Sequence, residues 1–311
     1  MNENDRWERD AMREIALEGI KERQRARRWG IFFKLAFLAY LVALLIPFAS
    51  GFLFERPTGP HLAKVNVTGL ISADELASAE LVNQGLQAAF NAPRAEGVVL
   101  YINSPGGSPV QSNRIYSEIN RLREQHQGMA VYAVIDDVGA SGAYYIASAA
   151  DEIFVNPASV VGSIGVISGG FGFTEAMEKL GVERRIYTAG ENKAFLDPFA
   201  PEEEAHQAHM ERLLEEVHSQ FIADVRAGRG ERLADDDRLF SGLIWTGESS
   251  VELGLADGFG DIAHVAREVA GVDQVLDYSR HPGLLRFITD RLGMSIGKAI
   301  TRALTEGHEL R

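Results

Sequence analysis

Gly97-Val-Val-Leu-Tyr-Ile102, then Asn103-Ser-Pro-Gly-Gly-Ser-Pro109, then Val110 through about Gln125 form one strand–turn–helix unit. The unbroken apolar run reads as a strand covered on both faces. The same succession recurs outward from it. Leu62–Val67 reads as a strand and Ser72–Phe90 as a helix opened by Ser72 or Asp74. Ala130–Ile135 is a second buried strand leading into a small-residue helix, Ser141–Ala150. Ile153–Val155, Val160–Ile167 and Arg184–Thr188 read as short strands, and Thr174–Leu180, Pro201–Gly228 and Glu248–Leu253 as helices. Strands alternating with helices through short loops imply an α/β domain with a largely parallel sheet.

The turns of such a sheet are where chemistry sits, and two stand out. In Asn103-Ser-Pro-Gly-Gly107 the paired glycines permit unusual backbone angles and leave N–H groups unobstructed. Aided by a helix N-terminus, those groups suit a developing oxyanion. A phosphate is the other anion to weigh, but neither a P-loop ending nor dinucleotide-fingerprint spacing is present. The second turn is Gly139-Ala140-Ser141-Gly142-Ala143-Tyr144-Tyr145, where small residues leave room for a substrate backbone beside Ser141. A serine before a helix also reads as a cap, and from this motif alone both readings stand.

A nucleophilic serine needs a base. The eight histidines are scattered, and none adjoins Ser141. His206 and His209 stand three apart near Glu202–Glu204; they read as the solvated face of a long helix rather than a metal site. Lysines after the N-terminal segment are only Lys64, Lys179, Lys193 and Lys298. Lys193 precedes Ala194-Phe195-Leu196 and Pro198-Phe199, so its amine is expected to be buried, which lowers a lysine pKa toward neutrality. A loop lysine reaching water is the plainer alternative.

Taken together, Ile102–Gly107, Ala140-Ser-Gly-Ala-Tyr-Tyr-Ile-Ala147, Val161-Gly-Ser-Ile-Gly-Val166 and Gly190-Glu-Asn-Lys-Ala-Phe195 closely resemble the S49 family of Ser–Lys peptidases, in its short membrane-anchored signal-peptide-peptidase form. The resemblance runs from the N-terminal segment to about Asp261. It implies a Clp-protease/crotonase-like fold of stacked β-β-α units behind one N-terminal transmembrane helix. Position by position, Ser141 matches the nucleophile, Lys193 the general base and Ser163 a serine that orients the lysine. Gly107 and Gly142 match oxyanion donors, with Gly106 the alternative if the loop register slips by one. Ala143 stands where many relatives have a further glycine. The implied substrates are remnant signal peptides held extended in a groove, with neither cofactor nor metal. Implied too is a homo-oligomeric dome of about eight copies, in which neighbours help complete each site. A SohB-type peptidase of the same family is the nearest alternative. A crotonase-type acyl-CoA enzyme and a non-catalytic scaffold are more distant ones.

The N-terminus bears on this choice. Leu35–Phe54 carries no charge, and twenty residues at helical rise cover about 30 Å, a bilayer core. Lys21, Arg23, Arg25, Arg27 and Arg28 precede it and are expected to remain cytoplasmic. A cleaved signal peptide fits less well, given the long charged leader. The expected organisation is a cytoplasmic charged segment over 1–28, an anchor over 29–54, a linker over 55–60, a peptidase domain over 61–275 and an amphipathic tail over 276–311. The catalytic domain then lies on the extracytoplasmic side of the plasma membrane. Residues 1–54 carry a net +2, leaving −15 on the remainder, which argues against nucleic acid as a partner. The chain has no cysteine, so disulfides and thiolate catalysis are excluded.

Overall fold

The computed structural model describes residues 23–25, 27–43 and 59–281. Residues 27–43 are helical, and along them Trp29, Phe32 and Phe33 pack ring against ring. Among the described residues no helix is long and apolar enough to cross a membrane. The helical stretch 27–43 spans about 25 Å and begins with two arginines. The remainder of the expected anchor, 44–54, lies outside the described residues, as do 1–22 and most of the expected tail.

The second unit, from Gly59 onward, is built on one sheet. Its strands are β1 (His61–Thr68), β2 (Ala95–Ser104), β3 (Ala130–Ala140), β4 (Glu152–Val155), β5 (Val160–Gly162), β6 (Ile244–Thr246), β7 (Gly258–Phe259) and β8 (Gln274–Asp277). The spatial order is β6-β5-β3-β2-β1-β8, with β4 beside β3 and β7 beside β4. All pairs are parallel except β5–β6. The crossovers contain α1 (Ala79–Phe90), α2 (Pro109–Gln125) and α3 (Gly142–Ala147); α4 (Thr174–Leu180), α5 (Glu204–Arg229) and α6 (Gly247–Glu252) follow. This mixed, parallel-dominated α/β architecture fits the Clp/crotonase-like expectation.

β3 decides where the functional end of the sheet lies. Tyr132–Ile135 pair with β4, while Val138–Ala140 pair with β5. Between them the β2–β3 register shifts, Ile102 facing Ile135 and Ser104 facing Gly139. Extra residues on one strand bend it. Here they split the sheet, so that one strand supports two neighbours and its end at Ala140 diverges from β4. The sheet is covered on both sides. Val65, Leu100, Ala133 and Ile153 face α1–α3, whereas Leu62, Val99, Val134 and Phe154 meet Val265, Ala266 and Val272. The small-residue content of α3 follows from its place: all six of its residues are buried.

Three elements differ from the sequence expectation. The first helix begins at Ala79 rather than Ser72, because Ile71 N–H and C=O are bonded to Gly106 and Ser108, tying the preceding segment to another turn. β5 stops at Gly162, since Ser163 turns away at φ 54° with its N–H given to Leu243 O. Residues 184–188 form no strand; they are exposed, and among the described residues no strand pairs with them.

Candidate active site

Ser141 follows the last residue of β3 and precedes α3. Its backbone sits at φ 55°, ψ −124°, a combination side chains rarely adopt. The conformation is held by Ser141 N–H donating to Gly162 O at 2.8 Å and Tyr145 N–H donating to Ser141 O at 3.0 Å. The side chain makes no capping bond to α3. The cap reading of this serine therefore fails: the turn holds the residue in a strained geometry while the hydroxyl does nothing for the helix.

The glycine turn after β2 packs directly on this point. A Cβ on Gly106 would lie 2.8 Å from Ala140 O, Gly142 N and Ser141 Cβ, so only glycine lets the two turns meet. Gly106 N–H donates to Ser104 Oγ at 3.1 Å and is buried. Gly107 is exposed, and among the described residues its N–H has no protein acceptor. Its flanks are fixed by Ile71 N–H donating to Gly106 O at 2.9 Å and Ser108 N–H donating to Ile71 O at 2.8 Å. Ser108 then caps α2, accepting from Gln111 N–H, with Pro109 in the first turn. Gly142, first in α3, lies against Ser112 and close to Gly107 N. The Gly107 and Gly142 backbone nitrogens thus both lie close to the turn that carries Ser141.

Ser141, Gly142 and Gly107 line one cavity of about 290 Å³ with Pro109, Val110, Asn113, Tyr145, Val166, Ile167 and Phe221. Its wall is mostly apolar, and its polar floor is already paired. Asn113 Nδ2 donates to Tyr145 Oη at 2.9 Å, Tyr145 Oη donates to Asp224, and the Tyr145 ring stacks on Phe221 at 4.6 Å. Burial first, and the bond to Asp224 second, push the Tyr145 hydroxyl pKa upward, so it remains a neutral donor. Sequence reasoning missed Asn113, Tyr145 and Phe221 as cavity residues. Tyr145 alone carried a local signal, lying one helical turn after Ser141; the others arrive from α2 and α5 through tertiary packing.

Ser163 is adjacent by register: Ala140 faces Gly162 across β3–β5, and Ser141 and Ser163 are the next residues of each chain segment. Lys193 is placed differently. It lies on a turn between Gly190 and Phe195, is exposed rather than buried, and does not line the cavity. The apolar neighbours that suggested burial are used elsewhere: Phe195 packs on His206 and His209, and Phe199 stacks on Phe173. Among the described residues no group of three or more His, Asp or Glu is arranged to hold a metal ion.

Residues 123–275, which include Ser141, Ser163 and Lys193, match the model of peptidase family S49. Over 226 residues the chain is 31% identical to "Putative protease slr0021" of Synechocystis sp., covering 71% of this chain and 78% of that one. It is 30% identical over 215 residues to "Putative signal peptide peptidase SppA" of Enterococcus faecium, covering 66% and 62%. A 186-residue stretch is 49% identical to part of the Na(+)/H(+) antiporter NhaA of Brucella melitensis, covering 60% of this chain. The chain spans a quarter of the length of that antiporter.

Proposed function

The chain belongs to peptidase family S49, and from that premise we propose that it is a membrane-anchored serine endopeptidase with Ser141 as nucleophile and Lys193 as general base. The observation that carries the reading is Ser141 itself, held strained and uncapped at a cavity wall between the N–H groups of Gly107 and Gly142. In the proposed cycle Lys193 takes the Ser141 proton and Oγ adds to the peptide carbonyl carbon. The two N–H groups hold the oxyanion. Collapse breaks the C–N bond, Lys193 returns the proton to the leaving amine, and water then releases the acyl group by the same path. Ser163, one strand over, orients the lysine. The apolar cavity wall suits apolar side chains of an extended peptide, in keeping with remnant signal peptides as substrates.

The site is completed between copies of the chain in this reading. His218 Nε2 donates to Ile164 O, beside Ser163, whereas His206 bonds Asn192, beside Lys193. These anchor points lie twelve residues apart on α5, about 18 Å along the helix. Such a separation favours a lysine that serves a neighbour's Ser141. Exposed apolar residues in the stretch of chain between Ile164 and Asn192, Ile167 at 92% and Phe171 at 81%, supply surface for the assembly. The uncharged run Leu35–Phe54 anchors the chain, with the basic residues before it on the cytoplasmic side.

The test compares hydrolysis of an apolar peptide ester by wild type, Ser141→Ala and Lys193→Ala. Both variants are expected to lose turnover by orders of magnitude; undiminished activity in either one sinks the dyad. Mixing the two inactive variants separates the modes, because sites completed between copies recover activity and sites within one chain do not. Protease applied from the extracytoplasmic side should reach the domain after Gly59.

A further inference from the structure

Lys193 stands on a chain of turns that has neither helix nor sheet to hold it. Lys193 N–H donates to Gly190 O, Phe195 N–H to Asn192 O, and Asp197 N–H to Ala194 O, each at 3.2 Å. A Cβ on Gly190, at φ 107°, would lie 3.1 Å from Lys193 Cγ, so the missing side chain is what lets the lysine stem fold back over the turn. Backbone bonds of this local kind leave the turn free to move as a body. A general base cannot be so placed, because transfer from a serine hydroxyl needs the amine within hydrogen-bond reach.

The fixation comes from α5. His206 Nε2 bonds Asn192 Oδ1 at 3.2 Å, on one side of Lys193. On the other side the Phe195 ring meets His206 and His209 edge-on, with centroids 5.1 and 5.5 Å away. Spacing of three residues puts both imidazoles on one helix face. Each ring is itself oriented. Arg212 Nη2 donates to His209 Nδ1 at 3.3 Å, since a guanidinium has no acceptor, and Glu203 Oε2 lies 3.8 Å from His206 Nε2. The helix beneath is immobilised by burial of Phe221, Val225 and Arg229 at its far end. The stretch after Phe195 is tied down separately, by the Arg184–Asp197 ion pair and the Phe173–Phe199 stack.

We propose that His206 and His209, through Asn192 and Phe195, clamp the Lys193 turn onto α5 and fix the direction in which the lysine projects. They are positioning residues for the base, a role that rests on the dyad reading above. His209 is exposed on α5, as the sequence suggested, while His206 is partly covered by the turn.

The experiment uses the full-length chain and a 4-nitrophenyl ester of an apolar acyl amino acid, whose leaving group departs unprotonated and keeps weak turnover measurable. His206→Ala/His209→Ala is expected to lower kcat between about tenfold and 100-fold with KM within about twofold. The same double substitution in a Lys193→Ala background is expected to have no further effect, because the clamp acts through the lysine. His206→Gln, which keeps an N–H for Asn192, should retain more activity than His206→Ala. Circular dichroism and thermal melting of every variant establish that it is folded; Phe195→Leu, which trims only the clamped ring, provides the same reading if the double variant does not fold. A clamp variant with kcat within twofold of wild type, while Lys193→Ala is slowed by orders of magnitude, overturns the clamp alone. An equal loss in both backgrounds also overturns it. Full activity in Lys193→Ala overturns the dyad and the clamp with it.

Discussion

Ser141→Gly and Ser141→Ala separate strain from chemistry at a single position. At φ 55°, ψ −124° a residue with a Cβ carries about 1–3 kcal/mol of backbone strain. Two bonds hold it there, Ser141 N–H to Gly162 O at 2.8 Å and Tyr145 N–H to Ser141 O at 3.0 Å, and neither involves the side chain. Glycine keeps both bonds and removes the strain, while its looser unfolded chain offsets about 0.4–1 kcal/mol of the gain. The net expectation is a glycine variant more stable than the alanine variant by about 1 kcal/mol. For a domain of this size that is a melting temperature higher by about 2–4 °C. Alanine keeps the Cβ and the strain, so it should melt close to wild type. Both variants lose ester hydrolysis by several orders of magnitude. Calorimetry and steady-state kinetics on the same preparations provide the two readouts. A glycine variant that melts no higher than the alanine variant refutes the strain argument, and turnover retained by either one refutes the nucleophile.

Three further substitutions test other parts of the structure. Gly107→Ala puts a Cβ 2.2 Å from Ile71 O, so the turn must shift and its N–H leaves the oxyanion position; kcat should drop about 100- to 1,000-fold. Gly128→Ala is the control, also at positive φ (97°) but with nothing within 4 Å, and should cost stability without changing kcat, as ester turnover and melting will show. Asp257→Asn removes the partner of the buried Arg229 guanidinium, 2.7 Å away, and is expected to cost about 3–5 kcal/mol in urea denaturation at pH 7. Burial opposes ionisation of Asp257, yet the Arg229 bond and charge, the Ile153 N–H and Arg232 together hold its carboxyl below the ordinary range. Its stabilisation is therefore complete above the unfolded carboxylate value near 3.9 and is lost as pH falls through the lower native value. Denaturation series from pH 5 downward should show that acid loss reduced in Asp257→Asn.

What was legible in the sequence was whatever the chain encodes locally. Buried apolar runs such as Gly97–Ile102 specified strands, the stretch from Val110 to about Gln125 specified a helix, and paired glycines at Gly106 and Gly107 marked a turn that bears no side chains. The helix assigned from Ser72 failed because Ile71 is captured by the Gly107 turn, a contact between segments more than thirty residues apart. Residues 184–188 have strand-like composition but, among the described residues, no partner strand, and composition cannot supply one.

The sequence by itself determined the fold class, the family and which residues are candidates, because alternation, turn chemistry and motif order are local properties of the chain. Only the tertiary structure decided how those candidates stand. Ser141 comes against Gly106 beyond the bulge in β3, and the Ser104 hydroxyl accepts from Gly106 N–H, while among the described residues that of Gly107 has no protein acceptor. Phe195 packs on His206 and His209 and Lys193 is exposed, where apolar neighbours in the sequence had suggested burial. Each of these depends on residues distant in the chain meeting in space, and that is information no local pattern contains.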